Sequence, residues 1–224
     1  VVAQALIAAC RTVAAAFQIH SLHGYFLRPG DPAVPIVYEV TRERDGKSFV
    51  TRRVAARQRD VTIFVMAASF ARPEEGFDHQ LAMPVVPPPE SLPDERELLD
   101  RFAASMPASM RRYFSRARAI ELKPVEPEFY IAPRAGRMAV QHIWMRATGP
   151  LPADPVLNRA VLAYASDLTL IDTALVAHGR NLFDPGLMLA SLDHALWFHR
   201  PVVMDDWVLY AQDAPSASGG RGFN

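Results

Sequence analysis

The sequence predicts an α+β protein made of two related units, each an apolar helix followed by antiparallel strands. An internal repeat is the first observation behind this. Residues 21–38 run Ser21-Leu22, then Phe26-Leu27-Arg28-Pro29, then Ile36-Val37-Tyr38. Residues 191–210 run Ser191-Leu192, then Phe198-His199-Arg200-Pro201, then Val208-Leu209-Tyr210, and in both copies the tyrosine stands nine residues after the proline. The second observation is what precedes each copy: an Ala-rich apolar stretch, 1–17 in one case and 155–176 in the other. The third is that the second copy reaches Asn224 with less strand-forming sequence than the first has used, so the second unit is expected to be truncated.

In 1–17, Val2, Leu6, Ala9 or Cys10, Val13 and Phe17 recur at helical spacing. A helix this apolar must be covered on most of its surface. The period then shortens to that of strands at 18–27 and 34–42, with Arg28-Pro29-Gly30-Asp31-Pro32 turning between them. Arg44-Asp45-Gly46-Lys47 is a hairpin turn, because Asp-Gly tolerates the positive φ that tight turns require. In 48–57, Phe49, Thr51 and Arg53 alternate with Val50, Arg52 and Val54, and Arg59-Asp60 turns the chain into a further strand at 61–70. The first unit, 1–72, therefore reads as a helix and an antiparallel meander of four strands. A linker with a helical segment follows at 73–118. Its first part is proline-rich, Asp94 is the expected N-cap of a helix over 94–116, and Pro107 should kink that helix. The second unit, 119–224, is expected to hold strands at 119–122 and 138–145, a helix at 155–176, and strands at 187–199 and 206–213. Its Ser/Gly-rich end, 216–222, corresponds to the hairpin turn of the first copy.

Composition bounds the function. A chain of 224 residues can bury one large or two small cores. Lys plus Arg and Asp plus Glu are 24 each, so no global field recruits nucleic acid or an anionic membrane, and neither is expected as a partner. The single cysteine, Cys10, excludes an internal disulfide and fits a reducing compartment. Set among Ala and Ile on a helix, it reads as buried and inert. No apolar run approaches the ~18 residues of a membrane span. Ala14-Ala15-Ala16 resembles a signal-peptide cleavage site, but no basic region precedes it, and Gln4 and Arg11 interrupt the apolar run. The chain opens on Val1 rather than Met, which suggests an internal fragment open at both ends.

Few residues offer chemistry. Asp167, in Tyr164-Ala165-Ser166-Asp167, falls near the middle of the second apolar helix. An acid there either faces solvent or a backbone group, or it serves a reaction. Its neighbours Leu162, Ala163, Leu168 and Leu170 leave little polar face, and the first copy has only Ala8, Ala9 and Cys10 at the matching place. Ser191 opens the repeated strand, where Ser21 holds the same place in the other copy and a small hydroxyl simply fits. Asp193-His194 invites a triad with a serine, but strand neighbours point to opposite faces and no Gly-x-Ser-x-Gly elbow occurs. His20, His23, His194 and His199 read as structural, and no His or Cys spacing suits zinc, so no metal is expected. Without a Gly-x-Gly-x-x-Gly or Walker loop, no nucleotide cofactor is expected. An acid near a hydroxyl, in a pocket between helix and sheet, suits activation of water.

Arg28-Pro29-Gly30-Asp31, Arg44-Asp45-Gly46-Lys47-Ser48-Phe49, Tyr164-Ala165-Ser166-Asp167 and the run from Ser191 to Pro201 resemble the acyl-CoA thioesterase II family. The resemblance spans nearly the whole chain and weakens in the linker. It implies a tandem (double) hotdog, each unit a long helix packed on a curved antiparallel sheet. It also implies hydrolysis of fatty acyl-CoA to free acid and CoA without a metal, a cofactor or a covalent intermediate. In that family an Asp, a Thr or Ser, and a Gln orient the attacking water. Asp167 matches the acid and Ser191 the hydroxyl. The Gln would follow Asn224, and the Gly-Gly-Gln that usually precedes the first helix is missing, so the chain as given is expected to be weak or inactive. Homo-oligomers follow from the resemblance, as does a bacterial cytoplasmic or, in a eukaryote, a peroxisomal location.

Two other readings compete: a hotdog enoyl-CoA hydratase or dehydratase, and a non-catalytic acyl-binding module. The hydratase would want a His beside Asp167, and none stands at helical spacing. Phe17, Tyr25, Met188, Leu196 and Trp197 are candidates to line an acyl tunnel, with ordinary core packing the simpler expectation for each. Arg42, Arg44, Lys47, Arg52 and Arg53 form the densest basic cluster, and an exposed hairpin carries such charge simply to stay solvated.

Overall fold

A computed structural model describes residues 1–102, 108, 111–112, 115–131, 136 and 139–224, with the side chains of 102, 130 and 131 left aside. The described chain divides into two compact units that are not contiguous in sequence. One contains 1–80, 152–164 and 190–203; the other contains 81–151, 165–189 and 204–224.

In the first unit, helix α1 (Val2–Cys10) lies on an antiparallel sheet of β1 (Gln18–Phe26), β2 (Val37–Asp45), β3 (Phe49–Gln58), β4 (Val61–Ala71) and β7 (Asp193–Trp197). The strand order is β2-β3-β4-β1-β7. The expected meander is corrected here, since β1 borders β4 and not β2. Residues 27–36 contain three prolines, which fix φ and lack N–H donors, and so cannot close a tight hairpin. The segment crosses over instead, and buried Gln58 satisfies its backbone: Nε2 donates to Asp31 O at 2.8 Å and to Val34 O, while Oε1 accepts from Asp31 N at 2.8 Å. The turns between β2 and β3 and between β3 and β4 fall where expected, but the positive φ expected of Asp45-Gly46 is absent: three residues, 46–48, join β2 to β3, and it is Arg59 and Asp60 that take φ of 47° and 64°, as a two-residue hairpin demands.

The two repeated segments pair with one another. In β1 against β7, Ser21 stands opposite Trp197 and Gly24 opposite His194. Gly24 has no room for a side chain, because a Cβ would lie 2.3 Å from Phe64 Cζ. Strand β7 is shorter than the expected 187–199; its ladder with β1 runs from Ser21 opposite Trp197 to Tyr25 opposite Asp193. The core joins Leu6 and Ala9 of α1, Ile19, Leu22, Val54, Phe64, Met66 and Phe70 of the sheet, and Phe198. Ala160 and Ala163 from helix α4 (Pro155–Ala165) complete it.

Helix α1 ends far short of residue 17. Thr12 Oγ1 donates to Ala9 O at 2.8 Å, and buried Arg52 donates to both Thr12 O and Thr12 Oγ1, so tertiary bonds take groups that a continuing helix would need. From β2, Tyr38, the tyrosine of the first repeat, donates its hydroxyl to Gln4 Oε1 on α1 at 2.7 Å.

In the second unit, β5 (Ile120–Pro124), β6 (Val140–Ala147) and β8 (Val208–Asp213) form an antiparallel sheet in that order. Helix α5 (Leu170–Val176) packs on β6 and β8 and against the hairpin of β9 (Ser216–Ser218) and β10 (Arg221–Phe223). That hairpin turns on Gly219 and Gly220, both at positive φ. Ile120, Leu122, Ile143, Met145, Val176 and Met204 are among the buried apolar residues of this unit. Helix α2 (Glu95–Phe102) starts as expected: Glu97 N donates to Asp94 Oδ1 at 2.8 Å and Asp94 N to Glu97 Oε2 at 3.0 Å, a capping box. A short helix α3 (Glu128–Ile131) lies between β5 and β6. Pro107 and Met138 fall outside the described residues.

The helix expected over 155–176 is two helices. It breaks at 166–169 between α4 and α5, so Asp167 sits in a turn and not in mid-helix. At the break Ser166 O, a carbonyl that a continuing helix would use, accepts from Tyr210, and the Thr169 hydroxyl accepts from Gln212. Among the described residues, no helix is long and apolar enough to cross a membrane.

Candidate active site

The second unit gathers its polar side chains around the helix break. Tyr210 and Gln212 stand two apart on β8 and so share a face. Tyr210 Oη donates to Ser166 O at 2.8 Å, and Gln212 Nε2 donates to Thr169 Oγ1 at 2.8 Å. Gln212 Oε1 in turn accepts from Gln141 Nε2 at 2.7 Å, directly across the β6–β8 ladder, and from Thr173 Oγ1 at 3.1 Å on α5. Gln141, Gln212, Thr169 and Thr173 are all buried, so each of these bonds replaces water the groups have lost. Asp167 is half-buried between the two fastened ends. Burial pushes the Tyr210 hydroxyl up to about 12; a hydrogen bond with Gln212 opposes this, and the negative charge of Asp167 adds to it. Tyr210 therefore stays a neutral donor at physiological pH.

Ser191 belongs to the first unit. It is exposed, two residues before β7, and the next residue is tied to β1 by the bond from Phe26 N to Leu192 O at 2.9 Å. Asp167 belongs to the second unit. The strand argument against a triad at Asp193-His194 matches what the sheet does: His194 is buried, whereas Asp193 is exposed and pairs across strands with His23 at 2.9 Å. His20 bonds Ser69 and His142 bonds Glu126, both at 2.9 Å. Among the described residues no three His, Cys, Asp or Glu side chains group as metal ligands.

Of the basic cluster, Arg52 is buried and spent on Thr12, Arg44 O, Thr51 O and Asp45, and Arg53 pairs with Glu43 at 2.8 Å. Phe17 and Leu196 pack on the first core, as the simpler expectation held. Tyr25, Met188 and Trp197 do not; they are exposed. Cys10 is half-buried, and loss of solvation pushes its thiol up to about 11, with the Arg159 guanidinium pulling the other way. At pH 8 only about one thiol in a thousand would then be ionised. Labelling by a disulfide reagent is expected to run at least about a hundredfold slower in the native protein than in urea, and equal rates would refute the shift.

The polar clamp around the break escaped sequence reasoning. One visible signal was the repeated tyrosine: Tyr38 reaches Gln4 on α1, and Tyr210 reaches the carbonyl just past the end of α4.

Residues 1–71 match the family of Acyl-CoA thioesterase N-terminal domains, and residues 116–224 match the Acyl-CoA thioesterase family. Acyl-CoA thioesterase 2 of Haemophilus influenzae is 39% identical over 224 residues, covering 99% of this chain and 77% of that one. The chain belongs to the acyl-CoA thioesterase II family. Human acyl-coenzyme A thioesterase 8 is 38% identical, covering 99% of this chain and 71% of its own. A crystal structure of an acyl-CoA thioesterase II from Mycobacterium marinum superposes with a TM-score of 0.79 at 44% identity, over 98% of this chain and 77% of that one. A hot dog fold protein from Alicyclobacillus acidocaldarius superposes with a TM-score of 0.69 at 20% identity, over 97% of this chain and 74% of that one, which speaks to the fold. This member of the thioesterase II family is thus a hotdog α+β protein and a thioester hydrolase.

Proposed function

We propose that this thioesterase hydrolyses fatty acyl-CoA to free fatty acid and CoA, using a water activated by Asp167. Ser191 helps to orient that water, together with a glutamine that the family resemblance assigns to sequence after residue 224. The observation that carries this reading is similarity to acyl-CoA thioesterases over 99% of the chain. A half-buried carboxylate held in a helix break, rather than waving on a helix face, supports Asp167 as the base. In the proposed step the carboxylate takes a proton from water as the water oxygen bonds to the thioester carbonyl carbon. The oxyanion that forms then collapses, the C–S bond breaks, and the proton passes from Asp167 to the departing CoA thiolate.

The proposed organisation is a first hotdog unit over 1–72, a linker over 73–118 and a second unit over 119–224. The separate family matches at 1–71 and 116–224 support it. A homo-oligomer is proposed on the family resemblance alone. The deciding assay follows thiol release from a medium-to-long acyl-CoA by the full-length protein, alongside hydration of an enoyl-CoA. We expect thioester turnover and no hydration, with Ser191→Ala lowering kcat at least about tenfold. Hydration without thiol release would identify a hydratase; binding without either would identify an acyl-binding module.

A further inference from the structure

We infer that Tyr210 and Gln212 of β8 are positioning residues that hold Asp167 in place by clamping the two ends of the helix break that carries it, with Thr169 as the anchor on the far side. This rests on the reading of Asp167 as the base. Every group involved lies in the second unit.

The four-residue connection at 166–169 lies between the ladders of α4 and α5 and would have freedom to move. Two hydrogen bonds from one strand remove that freedom. Tyr210 Oη reaches the carbonyl immediately before Asp167, and Gln212 Nε2 reaches the hydroxyl two residues after it, both at 2.8 Å. Gln212 cannot swing away, because Gln141 and Thr173 both donate to its Oε1 and fix which way its amide faces. The clamp is therefore referenced to β6 and α5 as well as to β8. Catalysis is sensitive to such referencing, since displacing a reactive group by about 1 Å can cost up to about a hundredfold in rate.

The first copy shows what the tyrosine does where there is no acid to hold. Tyr38 occupies the same repeat position, yet its hydroxyl goes to a side chain, Gln4 Oε1, on helix α1. Tyr210 instead takes a main-chain carbonyl, which ties down the backbone itself at the place where the copies differ by having Asp167.

The test compares Tyr210→Phe, Thr169→Val, Thr169→Ser and Asp167→Asn in the full-length protein, together with the double variant Tyr210→Phe/Asp167→Asn. Thermal unfolding is recorded for each. Tyr210→Phe and Thr169→Val are each expected to lower kcat for acyl-CoA hydrolysis about tenfold with KM within about twofold. Thr169→Ser, which keeps the acceptor oxygen, should restore wild-type kcat. In the Asp167→Asn background Tyr210→Phe should cost nothing further, because a clamp acts only through the group it holds. Unchanged kcat in the single variants would overturn the inference. So would the same tenfold loss with Asp167 already replaced, which is the mark of a generally structural tyrosine. Full turnover by Asp167→Asn would remove the base assignment itself and the inference with it.

Discussion

Asp167→Asn is expected to lower kcat for acyl-CoA hydrolysis about a thousandfold while leaving KM within about twofold. The substitution keeps the size of the side chain but removes its charge and its ability to take a proton, and it turns one acceptor oxygen into a donor. A positioned general base contributes about 10²- to 10⁴-fold, so a loss near the middle of that range, about 4 kcal/mol of barrier, is the expected signature. The bonds that fasten the break run to Ser166 O and Thr169 Oγ1, and both survive the change. A melting temperature close to wild type would tie the lost turnover to chemistry. Turnover within about tenfold of wild type would leave Asp167 as a polar turn residue and nothing more.

The sequence repeat carried much of the fold because it is a local signal read twice. The places of the turns near Asp45-Gly46 and Arg59-Asp60 were legible too, but not their conformations, since positive φ falls at Arg59 and Asp60 and not at Asp45 or Gly46. Strand order was not legible. Whether β1 borders β2 or β4 depends on how residues 27–36 satisfy their backbone, and the answer, Gln58, lies more than twenty residues away. The same limit applied to the helices. Apolar spacing continues through 1–17 and 155–176, and in both stretches it was a bond from a distant side chain, Arg52 or Tyr210, that drew off helical acceptors. Asp167 stood out because an acid in an apolar stretch is rare, but its turn geometry was invisible for that reason. One clue to the clamp was present and passed over. Gln212 shares a face of a short strand with Tyr210 and Val208, and the observed register sets Gln141 opposite it.

Arg52→Met is expected to cost about 2–4 kcal/mol of stability and to lower the melting temperature by roughly 5–15 °C. Arg52 shares its strand face with Val50 and Val54, and its side chain is only 2% exposed. Its donors serve Thr12 Oγ1 at 2.8 Å, Thr12 O at 3.1 Å, Arg44 O at 3.1 Å and Thr51 O at 3.0 Å. Methionine refills the apolar stem but leaves those part-buried acceptors without their donor, and that desolvation is where the cost arises. The ion pair contributes much less. Asp45 is 55% exposed and can return to water, so Asp45→Asn should fall within about 0.5 kcal/mol of wild type. Damage from Asp45→Asn equal to that from Arg52→Met would reverse this account and make charge pairing the dominant effect. The comparison also bears on substrate binding. An arginine spent on holding α1 to β3 has no donor left for a CoA phosphate, so at a temperature where Arg52→Met is folded its KM for acyl-CoA should match wild type. A KM raised tenfold would mean that the guanidinium leaves its buried partners to meet substrate, and the basic hairpin would then have to be read as a binding surface.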